Sequence, residues 1–117
     1  MKVKDQVQKM NSLMEKGAKA ESFDEFYDEN AVRQENDDPP MKREEAKEQM
    51  TKMMENIKSA SYKVISSLAG ENISMTQWEI AFKMKNGKKF ILNEVAVQKW
   101  RNGKIIHERY YHKDIKF

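Results

Sequence analysis

The sequence predicts an α+β domain in which three helices precede a meander of four long antiparallel strands. In the first half of the chain, apolar residues recur at intervals of three and four, the spacing of a helix with one buried face. From residue 60 onward they alternate, which is the spacing of a strand. Two Asn-Gly pairs, at 86–87 and 102–103, separate alternating segments, and this pair is a strong hairpin signal.

The three predicted helices begin near residues 3, 22 and 42. The first ends near Gly17, and the second begins at Ser22 with a capping-box pattern. After the helix-breaking stretch NDDPP, the third runs from Lys42 to about Ile57. Its methionine-rich stripe is typical of core filling rather than of a cofactor site. The apolar residues expected to face inward from the first two helices are Val3, Val7, Met10, Leu13, Met14, Phe23, Phe26 and Tyr27.

Four strands are expected, around 62–68 and at 73–85, 88–101 and 104–112. If each Asn-Gly pair closes a two-residue turn, Lys85 opposes Lys88 and Arg101 opposes Lys104. Directly opposed residues share a face of the sheet. Counting outward, the face toward the helices would carry Trp78, Ile80, Phe82, Met84, Ile91, Asn93, Val95, Val97, Ile106, Glu108, Tyr110 and His112. A one-residue bulge would exchange the two faces beyond it.

A carboxylate on this apolar face needs an explanation. Glu108 is costly there unless it is paired, hydrated or placed in a cavity. Together with Asn93, Tyr110 and His112 it would line a hollow. Alternatively, Glu108 and His112 lie near the end of the sheet and reach water. Both interpretations stay open at this point.

The order of elements and two stretches, SFDEFYDENAVRQEN and NEVAVQKWRNGKIIHERYYHKD, resemble the SnoaL-like branch of the nuclear transport factor 2-like superfamily. The resemblance spans roughly residues 3–114. It implies a cone in which a strongly curved antiparallel sheet wraps around the helices, with a pocket on its concave side and frequent homodimers. Members include polyketide cyclases, ketosteroid isomerases, epoxide hydrolases, dehydratases and non-catalytic binding modules, so the resemblance is specific for fold rather than for function.

The resemblance also implies roles for single residues. Glu35 stands at about the position of the isomerases' general base and would abstract a proton. Those isomerases build an oxyanion hole from a tyrosine and a protonated acid, but the matching positions here fall near Met10 and on Val97. Many SnoaL-like members carry an aspartate where this chain has His112. Steroid isomerase and polyketide-cyclase chemistry are both disfavoured by these departures.

Three functions remain from this reasoning. The first is an enzyme acting on a small, mostly apolar carbonyl compound, and the second is a non-catalytic pocket for a small ligand. The third is an interaction domain that forms a homodimer through the outer sheet face, with Trp100 and Tyr111 as anchors. The candidate catalytic residues are Glu35, Glu108 and His112. The candidate ligand-binding residues are Trp78, Asn93, Val95, Val97 and Tyr110.

Composition excludes several other classes of function and partner. The 117 residues are expected to form one domain, 1–117. The net charge of +3 is dispersed, which argues against nucleic acid, and no apolar run approaches a membrane span. No cysteine is present, the two histidines are expected on opposite faces, and no phosphate-binding glycine loop occurs, so neither a metal nor a cofactor is expected. The N-terminus lacks an apolar signal core, which predicts a cytoplasmic protein.

Overall fold

The computed structural model describes residues 2–113 and has the expected α+β class. Two α-helices, a 3₁₀ helix and six strands follow one another. In chain order they are α1 (Val3–Glu15), the 3₁₀ helix (Ala20–Phe26), β1 (Tyr27–Glu35), β2 (Met41–Lys42), α2 (Arg43–Met54), β3 (Ile57–Ala69), β4 (Ile73–Met84), β5 (Lys89–Arg101) and β6 (Lys104–Tyr111).

All six strands form one curved sheet in the order β2-β1-β6-β5-β4-β3. Strands β3 to β6 form the predicted antiparallel meander, with hairpins at both Asn-Gly pairs. Strand β1 pairs with β6 in parallel and with the short β2 antiparallel. The concave side carries the alternating buried residues of β4 and β5 together with the helices. No helix within residues 2–113 is long and apolar enough to cross a membrane.

The prediction of four strands was wrong because the segment expected as the second helix divides into a 3₁₀ helix and β1, and because the two-residue strand β2 precedes α2. Phe23 and Phe26 are buried as expected, in a 3₁₀ helix. The chain then extends from Tyr27 into β1, where Arg33 lies beside Glu108 of β6. The stretch YDENAVRQE is rich in residues of low strand propensity, so pairing with β6 rather than local preference makes it a strand.

The third predicted helix is shorter than expected. Helix α2 ends at Met54, because Ile57 already begins β3 and is buried against the sheet. Ala46 is the buried residue of α2, while Met50 and Met53 are half-exposed. The methionine stripe therefore contributes less to the core than its pattern indicated.

The first hairpin has a three-residue loop, not the two-residue turn expected. Lys83 pairs with Lys89, and the Met84 amide donates to the Lys88 carbonyl oxygen at 2.8 Å. Gly87 closes the loop at φ +90, a value that glycine adopts readily in such loops. This extra residue reverses the faces assigned to β5. The residues that point inward are Phe90, Leu92, Glu94, Ala96, Gln98 and Trp100, and those that point outward are Ile91, Asn93, Val95 and Val97.

The second hairpin contains a bulge. It shifts the register by one more residue, so the residues of β6 beyond it face the side that the sequence predicted. Trp100 pairs with Ile105 as expected, but Lys99 then pairs with His107, so Ile106 is the extra residue. Alternation beyond the bulge turns Glu108, Tyr110 and His112 inward, which is the side that the sequence predicted. Ile105, expected outside, is fully buried.

The core consists of two clusters. One lies on β4 and β5 around Trp78, Ile80 and Phe82. The other joins α1 and the 3₁₀ helix to the β5–β6 hairpin and includes Trp100, which is only 3% exposed. The prediction that Trp100 anchors a contact on the outer face was therefore wrong, for the same reason of register; Tyr111 does lie on that face and is 44% exposed.

Candidate functional site

A buried chain of hydrogen bonds holds Glu108 on the concave side. Its carboxylate is 3% exposed and accepts bonds from the Tyr27 hydroxyl, at 2.8 and 2.9 Å to its two oxygens, and from Gln98 Nε2 at 3.0 Å. Ser74 Oγ donates to Gln98 Oε1 at 2.7 Å, and Trp100 Nε1 donates to Ser74 Oγ at 2.9 Å. The interpretation that Glu108 reaches water near the end of the sheet was wrong, because its carboxylate is paired inside the protein. Burial and the charge of Glu108 together raise the pKa of Tyr27, so its hydroxyl stays a donor.

Arg33 places a positive charge on this side of the sheet. Its guanidinium lies 4.3 Å from the centre of the Tyr110 ring, and its Nη2 is 3.1 Å from Glu35 Oε1. The pairing of β1 with β6 also places Arg33 beside Glu108. Burial opposes its charge, but the groups around it, Tyr110, Glu108 and Glu35, outweigh burial and raise its pKa. Arg33 is therefore a permanent positive charge against the sheet.

Glu35 and His112, two of the three candidate catalytic residues, are in direct contact. His112 Nε2 lies 2.6 Å from Glu35 Oε2, and His112 Nδ1 lies 2.6 Å from the carbonyl oxygen of Lys113. A protonated imidazole can donate from both ring nitrogens, to a carboxylate and to the carbonyl oxygen, so these contacts favour the charged form of His112. Burial lowers the pKa of His112, but these two bonds outweigh it and the pKa is raised. The Glu35 side chain is 37% exposed, so this pair lies near the rim of the concave side.

Glu94 is the carboxylate that the sequence analysis missed. It lies on the inner face of β5, directly opposite Trp78. Within residues 2–113 no group donates a hydrogen bond to it, and no cation forms an ion pair with it. Burial raises the pKa of Glu94 to about 7, with Arg33 opposing the rise and Glu35 adding to it. A group with this pKa can both take up and release a proton near neutral pH.

Two tyrosines accompany Glu94. Burial and the charge of Glu94 raise the pKa of Tyr62, and burial, Glu108 and Glu94 raise that of Tyr110. Among the described residues, neither hydroxyl has a hydrogen-bond partner in the protein. The Tyr62 ring meets the Trp78 ring edge-on, with centroids 6.2 Å apart. An acid–base group and two free phenol donors are thus held among aromatic rings.

Three of the candidate ligand-binding residues do not lie on the concave side. Asn93, Val95 and Val97 point to the outer face, and Asn93 and Val95 are exposed. The two-residue turn assumed for the first hairpin caused this error. Trp78 and Tyr110 lie on the concave side, as expected. A three-residue reading of the loop KNG, with glycine in third place, would have turned Glu94 inward.

The described residues offer no group of three or more His, Asp or Glu side chains that could hold a metal ion. Glu35, Glu94, Glu108 and His112 do share the concave side. However, Glu108 is bonded to Tyr27 and Gln98, and Glu35 is bonded to His112 and Arg33. What this arrangement offers chemically is therefore proton transfer and hydrogen bonding.

Comparison with known proteins gives a consistent result. The family model described as a SnoaL-like domain matches residues 7–108. No curated protein matches the chain.

Several solved structures share the fold. A candidate SnoaL-like polyketide cyclase from Jannaschia sp. CCS1 superposes with a TM-score of 0.79 at 12% identity, over 92% of this chain and 84% of that one. A second candidate cyclase, from Mesorhizobium loti, gives 0.76 at 19% identity, over 95% and 99%. A nuclear transport factor 2-like protein of unknown function from Exiguobacterium sp. 255-15 gives 0.71 at 14% identity, over 93% and 98%.

Proposed function

Because the chain belongs to the SnoaL-like domain family, we propose that its concave side binds a small, largely apolar molecule and that Glu94 transfers a proton to or from it. The observation that carries this proposal is the state of the Glu94 carboxyl. It faces inward, lacks a hydrogen-bond partner among residues 2–113, and has a pKa of about 7. Perturbed titratable groups of this kind are typical of functional sites.

The proposed chemistry is proton transfer next to a carbonyl group. Ionised Glu94 takes a proton from the carbon beside the carbonyl. The hydroxyls of Tyr62 and Tyr110 donate to the carbonyl oxygen as negative charge develops there. Trp78 contacts the apolar body of the molecule. This is the acid–base step that isomerase, cyclase and dehydratase reactions share.

The roles of the other acidic residues change accordingly. Glu35, the base that the family resemblance implied, is already paired with Arg33 and His112, and Glu108 already accepts from Tyr27 and Gln98. If either carboxylate acted as the base, it would have to give up hydrogen bonds that involve a charged group, which costs free energy. We therefore assign these two carboxylates to positioning Arg33 and Tyr27. The description of the Jannaschia neighbour as a candidate polyketide cyclase is in line with a carbonyl substrate class.

The test uses two probe molecules, of which the first reports binding alone and the second reports catalysis. The first, 2-naphthol, is a planar aromatic alcohol that resembles an enol, and its binding is followed by NMR shifts of the Trp78 indole and of residues around Glu94. The second, 2-tetralone, has exchangeable protons beside its carbonyl, and their exchange in D₂O measures catalysis. We expect naphthol binding at the concave side and protein-dependent exchange that Glu94→Gln reduces on the order of 100-fold.

The control variant is Glu79→Gln, which removes a carboxylate from the outer face of β4. It should leave exchange within twofold of the unmodified protein. Exchange that is insensitive to Glu94→Gln would contradict the catalytic role. Naphthol binding without any acceleration of exchange would instead support the alternative function, a non-catalytic pocket for a small ligand.

We also propose that the outer face of the sheet forms a homodimer. Pairing aligns Leu68, Met75 and Val97 across β3, β4 and β5, and Leu68 is 75% exposed. Tyr111, 44% exposed, lies near this row. Exposed apolar residues in one row are typical of a protein contact. Light scattering should show a dimer for the unmodified chain and a monomer for Met75→Lys; a monomer for both would contradict the proposal.

A further inference from the structure

We propose a second binding site, on the outer face of the β4–β5 hairpin, that holds the anionic group of a small amphiphile between Lys83 and Lys89. This site lies on the opposite side of the sheet from Glu94 and does not depend on the function proposed above. Its parts are a pair of opposed lysines, two serine hydroxyls and an exposed isoleucine.

The first observation is an uncompensated pair of charges. Lys83 of β4 and Lys89 of β5 are direct cross-strand partners on the outer face. Like charges in this position destabilise a sheet. Neither lysine forms an ion pair with any residue in the described part of the chain, and the same holds for Lys85 and Lys88 in the loop between them. An anion placed between the two ammonium groups would remove the repulsion.

The second observation is a set of hydrogen-bond donors in the same row. Ser59 of β3 is the cross-strand partner of Lys83, and Ser61 is the partner of Ala81 in the next row of the outer face. Both serines are exposed, and within residues 2–113 neither hydroxyl has a hydrogen-bond partner. The oxygens of a phosphate or carboxylate accept bonds from hydroxyls and ammonium groups alike.

The third observation is a depression with an apolar side. A cleft of about 470 Å³ is lined by these lysines and serines together with Ala81 and Ile91. Ile91 is the cross-strand partner of Ala81 and is 63% exposed, so it presents most of its side chain to solvent. An alkyl chain that lies across Ala81 would cover Ile91 and gain the free energy of removing apolar surface from water.

The nearest acidic residue on this face does not compete for the lysines. Glu79 lies one row beyond Ala81 and pairs across the strands with Lys63. The charge at the end of the hairpin therefore remains positive. Ile91 is the exposed large apolar side chain of this depression. One such side chain can cover a single alkyl chain but offers little surface for insertion into a lipid bilayer, so the ligand class is a single amphiphile in solution.

The experiment titrates the full chain with dodecyl phosphate and with dodecanoate, each below its micelle concentration. NMR shifts of the amides of residues 59–61, 81–83 and 89–91 report binding at this site. We expect saturable shifts with either amphiphile and at least tenfold weaker binding of inorganic phosphate and of dodecanol. The double variant Lys83→Ser/Lys89→Ser should bind dodecyl phosphate at least tenfold more weakly, and it should stay folded because it removes a repulsion.

The matched control is Lys63→Ser/Lys99→Ser, which removes two lysines from the same face outside the cleft. Its affinity should stay within twofold of the unmodified protein. Equal losses in both double variants would overturn the site, since they would show a response to net charge alone. If inorganic phosphate bound as tightly as the amphiphile, the proposed contact between the alkyl chain and Ile91 would be overturned. Binding only to vesicles of anionic lipid would overturn the proposed ligand class.

Discussion

His112 Nε2 and Nδ1 each lie 2.6 Å from an oxygen atom, Glu35 Oε2 and the Lys113 carbonyl oxygen respectively. The imidazolium form of His112 can donate to both oxygens at once, so this geometry favours it. The rim of the concave side thus carries a proton that is tied to the folded state. Its effect on stability can be measured.

The folded pKa of His112 lies above the ordinary value of 6.5. The stabilisation is therefore fully present below pH 6.5 and is lost as the pH rises through the folded pKa. We expect the unfolding free energy of the unmodified protein to exceed that of His112→Asn by about 1 kcal/mol at pH 6, since Glu35 is partly exposed. The difference should shrink by pH 9. Urea unfolding across this range measures it, and a difference that grows with pH would contradict the bonding described.

Glu94 should also make the protein less stable as the pH rises, but through the appearance of a buried negative charge rather than through the loss of a proton from an imidazolium. Its folded pKa of about 7 lies above the ordinary value of 4.5, so the unfolded chain ionises first and the folded state loses stability between pH 4.5 and 7. We expect the unfolding free energy of Glu94→Gln to equal that of the unmodified protein at pH 4 and to exceed it by about 1–3 kcal/mol at pH 8. Denaturant unfolding at both pH values tests this. Glu71→Gln, in the exposed β3–β4 turn, is the control and should change stability by less than about 0.5 kcal/mol.

The Tyr27 hydroxyl should contribute strongly to stability. Its removal in Tyr27→Phe leaves the buried Glu108 carboxylate with Gln98 as its remaining donor. We expect a loss of about 1–3 kcal/mol in unfolding free energy, the cost of depriving a buried charged group of a donor. Tyr111→Phe makes the same change on the outer face, where the ring is exposed, and should cost less than about 0.5 kcal/mol. Equal effects of the two changes would show that the Tyr27 bond contributes nothing specific.

Neighbouring positions of β5 should tolerate charge very differently. Leu92 points inward and is 9% exposed, whereas Asn93 is exposed on the outer face. We expect Leu92→Asp to lower the unfolding free energy by about 3 kcal/mol or more, since it buries an unpaired charge. Asn93→Asp should change it by less than about 0.5 kcal/mol. Thermal unfolding of the two variants separates this register from the two-residue turn, for which the sensitivities would be reversed.

The sequence predicted the meander and the first helix well, because long periodic segments and Asn-Gly hairpins are strong local signals. It could not predict β1, whose residues are polar and become a strand only through pairing with β6. The sequence also could not predict which residues of β5 face inward, because Asn-Gly is compatible with loops of two or three residues. Glu94, the central residue of the proposed site, was missed for that reason alone.

Other site residues depended on long-range pairing. Glu108, Tyr110 and His112 were placed on the correct side only because the loop and the bulge at Ile106 shift the count by one residue each, in compensating fashion. Arg33 and Tyr27 carried no local signal of a role, since their partners lie on a strand distant in sequence. Charge clusters built across a sheet become visible only when the pairing of the strands is known.

The three-residue loop at 85–87 has a consequence for how this chain can change over time. Met84 and Lys88 stay opposite each other whether two or three residues join them, so loss of one loop codon would leave Glu94 opposite Trp78. Loss of one codon within β5 would instead move every later residue of that strand to the other face of the sheet, taking Glu94 and Gln98 out of the interior and bringing Val95 and Val97 into it. Evolution can therefore shorten this loop, whereas it cannot shorten β5 unless every second residue of the strand changes with it.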